Sequence, residues 1–207
     1  MIKILPIEKV REGDRYTIEN EPIASINLME RAAKRLASWI NRNIRTAQKI
    51  NIVCGPGNNG GDGMALARTL IDKDYQTEVF LYNPNDKLSP DNETNLQRLE
   101  RIPEVAVNII NNEEDLPAFS PDDVVVDALF GSGLTRDIEG LAAKLVHHIN
   151  SSGSLIISVD TPSGLFSDKP SKTKSKAIIT ADYTLTFQFP KLGFMFADNA
   201  PYMGKWE

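Results

Sequence analysis

Lys49 to Leu70 reads KINIVCGPGNNGGDGMALARTL, and this stretch decides the fold. Ile50 to Cys54 is a short apolar run rich in β-branched residues, as in a strand buried on both faces of a parallel sheet. Gly55-Pro56-Gly57-Asn58-Asn59-Gly60-Gly61-Asp62-Gly63 follows, with five glycines in nine positions. Leu66 and Leu70 then fall four apart among small residues, as on a helix packed against a sheet. Strand, glycine-rich turn and helix is the layout in which backbone N–H groups at a helix N-terminus cradle a phosphate. Glycine suits such a turn because a Cβ would block the approach of the backbone.

Gly55-x-Gly57-x-x-Gly60 also fits the dinucleotide fingerprint, but a hydride-transfer domain wants an acidic residue closing its second strand. Here that strand runs Thr77 to Leu81 and ends in Tyr82-Asn83-Pro84, without a carboxylate. A Walker loop fails as well, because no Gly-Lys-Ser/Thr follows. The distinctive feature is the polar insert of Asn58, Asn59 and Asp62, whose amides and carboxylate add oxygen ligands and donors to what bare backbone offers.

Outward from this stretch, strands and helices alternate. A charged helix is expected over Ile7 to Asn20, and a second from Asn27 as N-cap with Glu30 answering it. Leu28, Ala32, Leu36 and Ile40 form the apolar stripe of that second helix. Ser89-Pro90 starts a helix that runs to about Arg101, and Val105 to Ile110 reads as a strand. Val124 to Val126 is a buried strand ending in Asp127, followed by a helix over Leu141 to Asn150. Leu155 to Val159 is another strand, ending in Asp160, and Tyr183 to Phe189 alternates as a later one. Lys172 to Lys176 reads as a basic surface turn, and the adjacent His147 and His148 as surface residues. The pattern predicts an α/β protein, a three-layer α/β/α Rossmann-like sandwich with a mostly parallel sheet, in a single domain over residues 1–207.

Composition excludes several classes. The chain of 207 residues is 41% hydrophobic and 25% charged, ordinary for a globular domain. Its net charge of −5 argues against a nucleic-acid surface. Cys54 is the only cysteine and sits on an apolar strand, so it reads as a core residue. Neither a signal-peptide pattern nor a long apolar run is seen, so no membrane partner and a cytoplasmic location are expected.

Three ordered segments, Lys49 to Leu70, VVVDALFGSGLTRDIEG from Val124 to Gly140 and ISVDTPSGL from Ile157 to Leu165, carry a resemblance to a known family. With Arg11, Asp14 and Leu28-Met29-Glu30 they make the chain similar to the YjeF N-terminal domain family, the NAD(P)HX epimerases. The departures are mild: Thr161 and Ala33 stand where the family usually has an aliphatic residue and a glycine. The resemblance implies interconversion of the R and S forms of hydrated NADH or NADPH at C6 of the nicotinamide ring. It implies potassium (K+) held by Asn59, Asp127 and Ser163, hard oxygen donors of the right kind for a monovalent cation. Substrate contacts carry over to Asn58, Asn59, Gly60, Gly61 and Asp62, to Asp160, and to the loop Gly131, Ser132, Gly133, Leu134, Thr135, Arg136 and Asp137.

Both routes to inversion at a hemiaminal carbon, water loss and ring opening, need proton transfer at oxygen. Asp160 is the expected acid–base residue, with Lys191 beside it to tune its carboxylate. The resemblance also allows a homodimer, and an ADP- or ATP-dependent NAD(P)H-hydrate dehydratase as a fused or separate partner. The rival reading is a non-catalytic nucleotide-binding or scaffolding module of the same fold.

Overall fold

The apolar run Ile50–Cys54 forms β1 and is buried along its whole length. Chain order is α1 (Ile7–Asn20), α2 (Ser25–Asn43), β1, α3 (Asn58–Ile71), β2 (Thr77–Tyr82), α4 (Pro90–Leu99), β3 (Val107–Ile110), β4 (Val124–Ala128), α5 (Gly140–Asn150), β5 (Leu155–Val159), β6 (Tyr183–Leu185), α6 (Ala200–Met203) and β7 (Lys205–Trp206). The computed structural model describes residues 4–103, 105–171 and 176–207. Of the expected basic turn at 172–176, only Lys176 falls within them.

The strands make one sheet in the order β3-β2-β1-β4-β5-β6-β7, and every pairing is parallel. Alternation along the strands sorts their side chains into two cores. Ile50, Ile52 and Cys54 face α2, α3 and α4, packing with Leu36, Ile40, Met64 and Leu70. Val53, Val125 and Ile156 face the other way, against Leu145, Val146 and Ile149 of α5. The result is the expected three-layer sandwich. Among the described residues no helix is long and apolar enough to cross a membrane.

The chain leaves β1 toward β2 and β3, then returns to place β4 on the other side of β1. That reversal opens a crevice at the carboxyl ends of β1 and β4, where ligands bind in open parallel sheets. The two loops meet closely there, since a Cβ on Gly55 would lie 1.8 Å from the Leu129 carbonyl oxygen.

Several expectations are corrected. Helix α3 begins at Asn58, so Asn58 to Gly63 lie in its first turns rather than in a loop. Their glycines serve packing: a Cβ would meet the Gly55 carbonyl oxygen at 1.8 Å from Gly60, Met29 Sδ at 2.8 Å from Gly61 and Cys54 Sγ at 2.7 Å from Gly63. Helix α2 starts at Ser25 with Ala24 as its cap, not at Asn27. Glu30 instead accepts from Arg68 and Arg98, tying α2 to α3 and α4. Helix α4 stops at Leu99 and β3 starts at Val107, both shorter than expected. β6 ends at Leu185, because the next residues turn sharply: Gln188 takes a φ of 59° and Phe189 N–H bonds the Phe187 carbonyl at 2.7 Å. His147 is exposed, but His148 is half-buried, its Nε2 2.6 Å from the Pro117 carbonyl oxygen.

Candidate active site

Two aspartates end adjacent strands at this edge, and their surroundings differ. Asp127 of β4 is wholly buried among neutral donors. Ser158 Oγ donates to its Oδ2 at 2.7 Å and Ser163 N–H to the same oxygen at 2.9 Å. Ser163 Oγ donates to Oδ1 at 2.5 Å, and Leu129 N–H at 3.3 Å. Burial pushes this carboxyl above the ordinary range, and the hydrogen bonds from Ser163, Ser158 and Leu129 pull only partly against it. No described residue supplies it a cation. Asn59 stands against the next loop, since a Cβ on Gly131 would lie 3.1 Å from its Oδ1, and its Nδ2 has no partner. Thr161 Oγ1 is likewise buried without a partner.

Asp160, just beyond β5, is ion-paired. Lys191 Nζ lies 2.7 Å from its Oδ1, and Lys191 is only 1% exposed. The ammonium also donates to the Phe187 carbonyl at 2.9 Å. Asp160 further accepts from the N–H groups of Phe187 at 3.3 Å and Ser132 at 3.4 Å. Its backbone adopts a φ of 64°, a left-handed conformation that costs a non-glycine residue free energy. Such strain persists only where surroundings enforce it, here the Leu185 carbonyl gripping Asp160 N–H at 2.8 Å.

Asp160 and Lys191 open onto a cleft of about 530 Å³. Asn58, Asp62 and Ser132, all expected at the site, line it too. Asn59, Asp127 and Ser163 are buried away from it, and Thr135 and Arg136 are exposed outside its wall. Gly61 offers no free N–H, because it donates to the Gly57 carbonyl at 3.2 Å.

Helix α1 closes the cleft. Arg11 and Asp14, marks of the family resemblance, both line the cleft with Arg15 and Gln188. Gln188 Nε2 donates to Asp14, and the Asp168 carboxylate accepts from Ile7 N–H at 3.1 Å, which pins the helix in place. Burial raises the Asp14 carboxyl, the Gln188 hydrogen bond opposes this, and Asp160 adds to the rise. The only sequence signal was charge, Arg11, Asp14 and Arg15 being spaced to share one helix face.

Comparison with known proteins places the chain in a family. The chain is 35% identical over 195 residues to the NAD(P)H-hydrate epimerase of Oenococcus oeni, covering 92% of this chain and 88% of that protein. It is 38% identical over 210 residues to the bifunctional NAD(P)H-hydrate repair enzyme Nnr of Thermofilum pendens, where 99% of this chain spans 39% of the relative's length. The fold matches the crystal structure of yeast ynu0 (YNL200c) with a TM-score of 0.77 at 23% identity, over 93% of this chain and 83% of that one. The family model described as YjeF-related protein N-terminus matches residues 25–193, and the chain belongs to that family.

Proposed function

We propose that this chain is an NAD(P)H-hydrate epimerase, interconverting the R and S forms of hydrated NADH and NADPH at C6 of the nicotinamide ring. The observation that carries this reading is the Asp160–Lys191 pair, a charged couple held in a strained turn at the wall of a nucleotide-sized cleft. Asp160 takes and returns the proton of the C6 hydroxyl, and Lys191 fixes its carboxylate in place. A scaffold has no use for so costly an arrangement. Asn58, the free N–H groups in the first turn of α3 and the loop Gly131 to Asp137 then hold the phosphate-bearing part of the substrate.

Potassium belongs to the same reading, with Asn59, Asp127 and Ser163 as its ligands. The donor set fits: a buried carboxylate lacking a cation, a hydroxyl in contact with it, and the side-chain amide oxygen of Asn59 beside Gly131. A monovalent ion there offsets the desolvated charge of Asp127 and is held by hard oxygens. Exchanging KCl for choline chloride at equal ionic strength should lower the melting midpoint, and an unchanged midpoint removes the ion. A cytoplasmic location, a homodimer and a dehydratase partner complete the reading, the last two supported by the family resemblance and the bifunctional relative.

The test is to follow conversion between S- and R-NADHX by chromatography, with and without the protein. Interconversion no faster than the uncatalysed background overturns the proposal.

A further inference from the structure

The cleft holds more carboxyl groups than one acid–base residue requires. Asp14, Asp62 and Asp160 all face it, and they differ in what already binds them. Asp160 is taken up by Lys191 and two backbone N–H groups, and Asp14 accepts from Gln188. The Asp62 carboxylate has no hydrogen bond or ion pair with any described residue. It stands four residues after Asn58 on α3, so the first turns of one helix present both side chains to the same cleft.

We propose that Asp62 is a second catalytic residue, the proton donor to the departing C6 hydroxyl, acting from the α3 side of the cleft while Asp160 acts from the β5 side. This rests on the epimerase reading above. The Asp62 carboxyl gives its proton to the hydroxyl oxygen as the C6–O bond breaks, and that oxygen leaves as water with the bonding pair. The lone pair of the ring nitrogen forms a C=N bond, giving an iminium cation. Water then attacks C6 from the other side through its own lone pair, the C=N π pair returns to the ring nitrogen, and Asp160 takes the proton released. The product is the opposite epimer, and proton exchange with solvent restores Asp62 and Asp160 to their starting forms.

Two features of the cleft favour this route over ring opening. Three carboxyl groups and a single buried ammonium, itself paired with Asp160, line the cleft, a setting that stabilises a cation and opposes negative charge developing on the ring. The arginines that also line it, Arg11, Arg15, Arg31 and Arg35, are exposed to solvent, where their charge is screened. Asp62 is also suited to donate. Burial, and then the carboxylates of Asp160, Asp14 and Asp91, push its carboxyl well above the ordinary range. Carboxyl groups with contrasting environments in one site are how acid and base roles are divided.

The experiment runs wild type and Asp62→Asn on S-NADHX in ¹⁸O-labelled water, with product epimer and label read by chromatography and mass spectrometry. Wild type should place one solvent oxygen on C6 per inversion, above the uncatalysed rate. Asp62→Asn should lower kcat by at least about 10²-fold while KM stays within about twofold. Catalysed inversion by wild type without label overturns the proposal even if the variant fails to fold. A folded Asp62→Asn protein that turns over at the wild-type rate overturns it too. If wild type fails to accelerate inversion at all, the epimerase reading falls, and this inference with it.

Discussion

Asp127 and Asp160 both lie near the carboxyl ends of neighbouring strands, Asp127 inside β4 opposite Ser158 and Asp160 just beyond β5, yet their charges are accommodated in opposite ways. Asp127 is wholly buried and surrounded by hydroxyls and amides, with every contact neutral. Asp160 is held by an ammonium, sits in a strained conformation and opens onto the cleft. The first arrangement is a socket that ties strand β5 and the two loops after β4 and β5 to one carboxylate. The second keeps a charged oxygen positioned at a place substrate can reach. Strand-end position is shared, and the partners decide the role.

The contrast can be broken most sharply at Asp160. Asp160→Asn keeps shape and most hydrogen bonding but removes the proton acceptor, so epimerisation should fall by about 10² to 10⁴ in kcat. Nucleotide affinity should barely move, whereas the melting midpoint should fall because the buried Lys191 ammonium loses its counter-charge, as steady-state kinetics and calorimetry would check. Wild-type kcat in this variant makes Asp160 a binding residue only.

Lys191→Met should act on stability as well as rate, in contrast to what a surface lysine would do. It leaves a carboxylate at the cleft wall without its cation, and breaking a buried pair costs about 3 kcal/mol. Denaturant titration reads this directly, and a loss under about 1 kcal/mol means that the pair is effectively solvated. Asp127→Ala should cost a comparable amount, because Ser158 Oγ and the Ser163 N–H lose their acceptor at about 1–3 kcal/mol each. Unlike Lys191→Met, it should also abolish any stabilisation by potassium.

The pH dependence follows from the raised carboxyls of Asp62, Asp14 and Asp127. Each binds its proton more tightly folded than unfolded. Their contribution to stability is therefore complete below the unfolded value of about 3.9 and is lost as pH rises through the folded values. The denaturation midpoint should decline with rising pH over that window, and Asp62→Asn should make the decline shallower. An identical pH profile in the variant contradicts the enclosed setting of Asp62.

Gly57→Ala should do least. A Cβ there meets nothing within 4 Å and the φ of −88° suits any residue. Stability should change by under about 0.5 kcal/mol. A large loss would mean that the N-cap turn of α3 is tighter than its backbone shows.

The sequence by itself determined the architecture and most of the polar residues at the sheet edge. Apolar runs such as Ile50 to Cys54 and Val124 to Val126 name buried parallel strands, because strand periodicity and β-branching are local properties. Asn58, Asp127, Asp160 and Ser163 were legible because each lies within a few residues of a strand end, and Asp62 because it shares the glycine-rich stretch that follows β1. What only the tertiary structure decided is long-range. The glycines of α3 proved to be packing positions, since what a Cβ would strike lies in the Gly55 carbonyl, Met29 and Cys54. Helix α1 became a wall of the cleft through Asp14 and Gln188, 174 residues apart in the chain. Lys191 became buried only because the chain beyond β6 turns back at Gln188 and carries the ammonium to Asp160. Periodicity reports a residue's own element, whereas burial and charge pairing depend on which distant element arrives beside it.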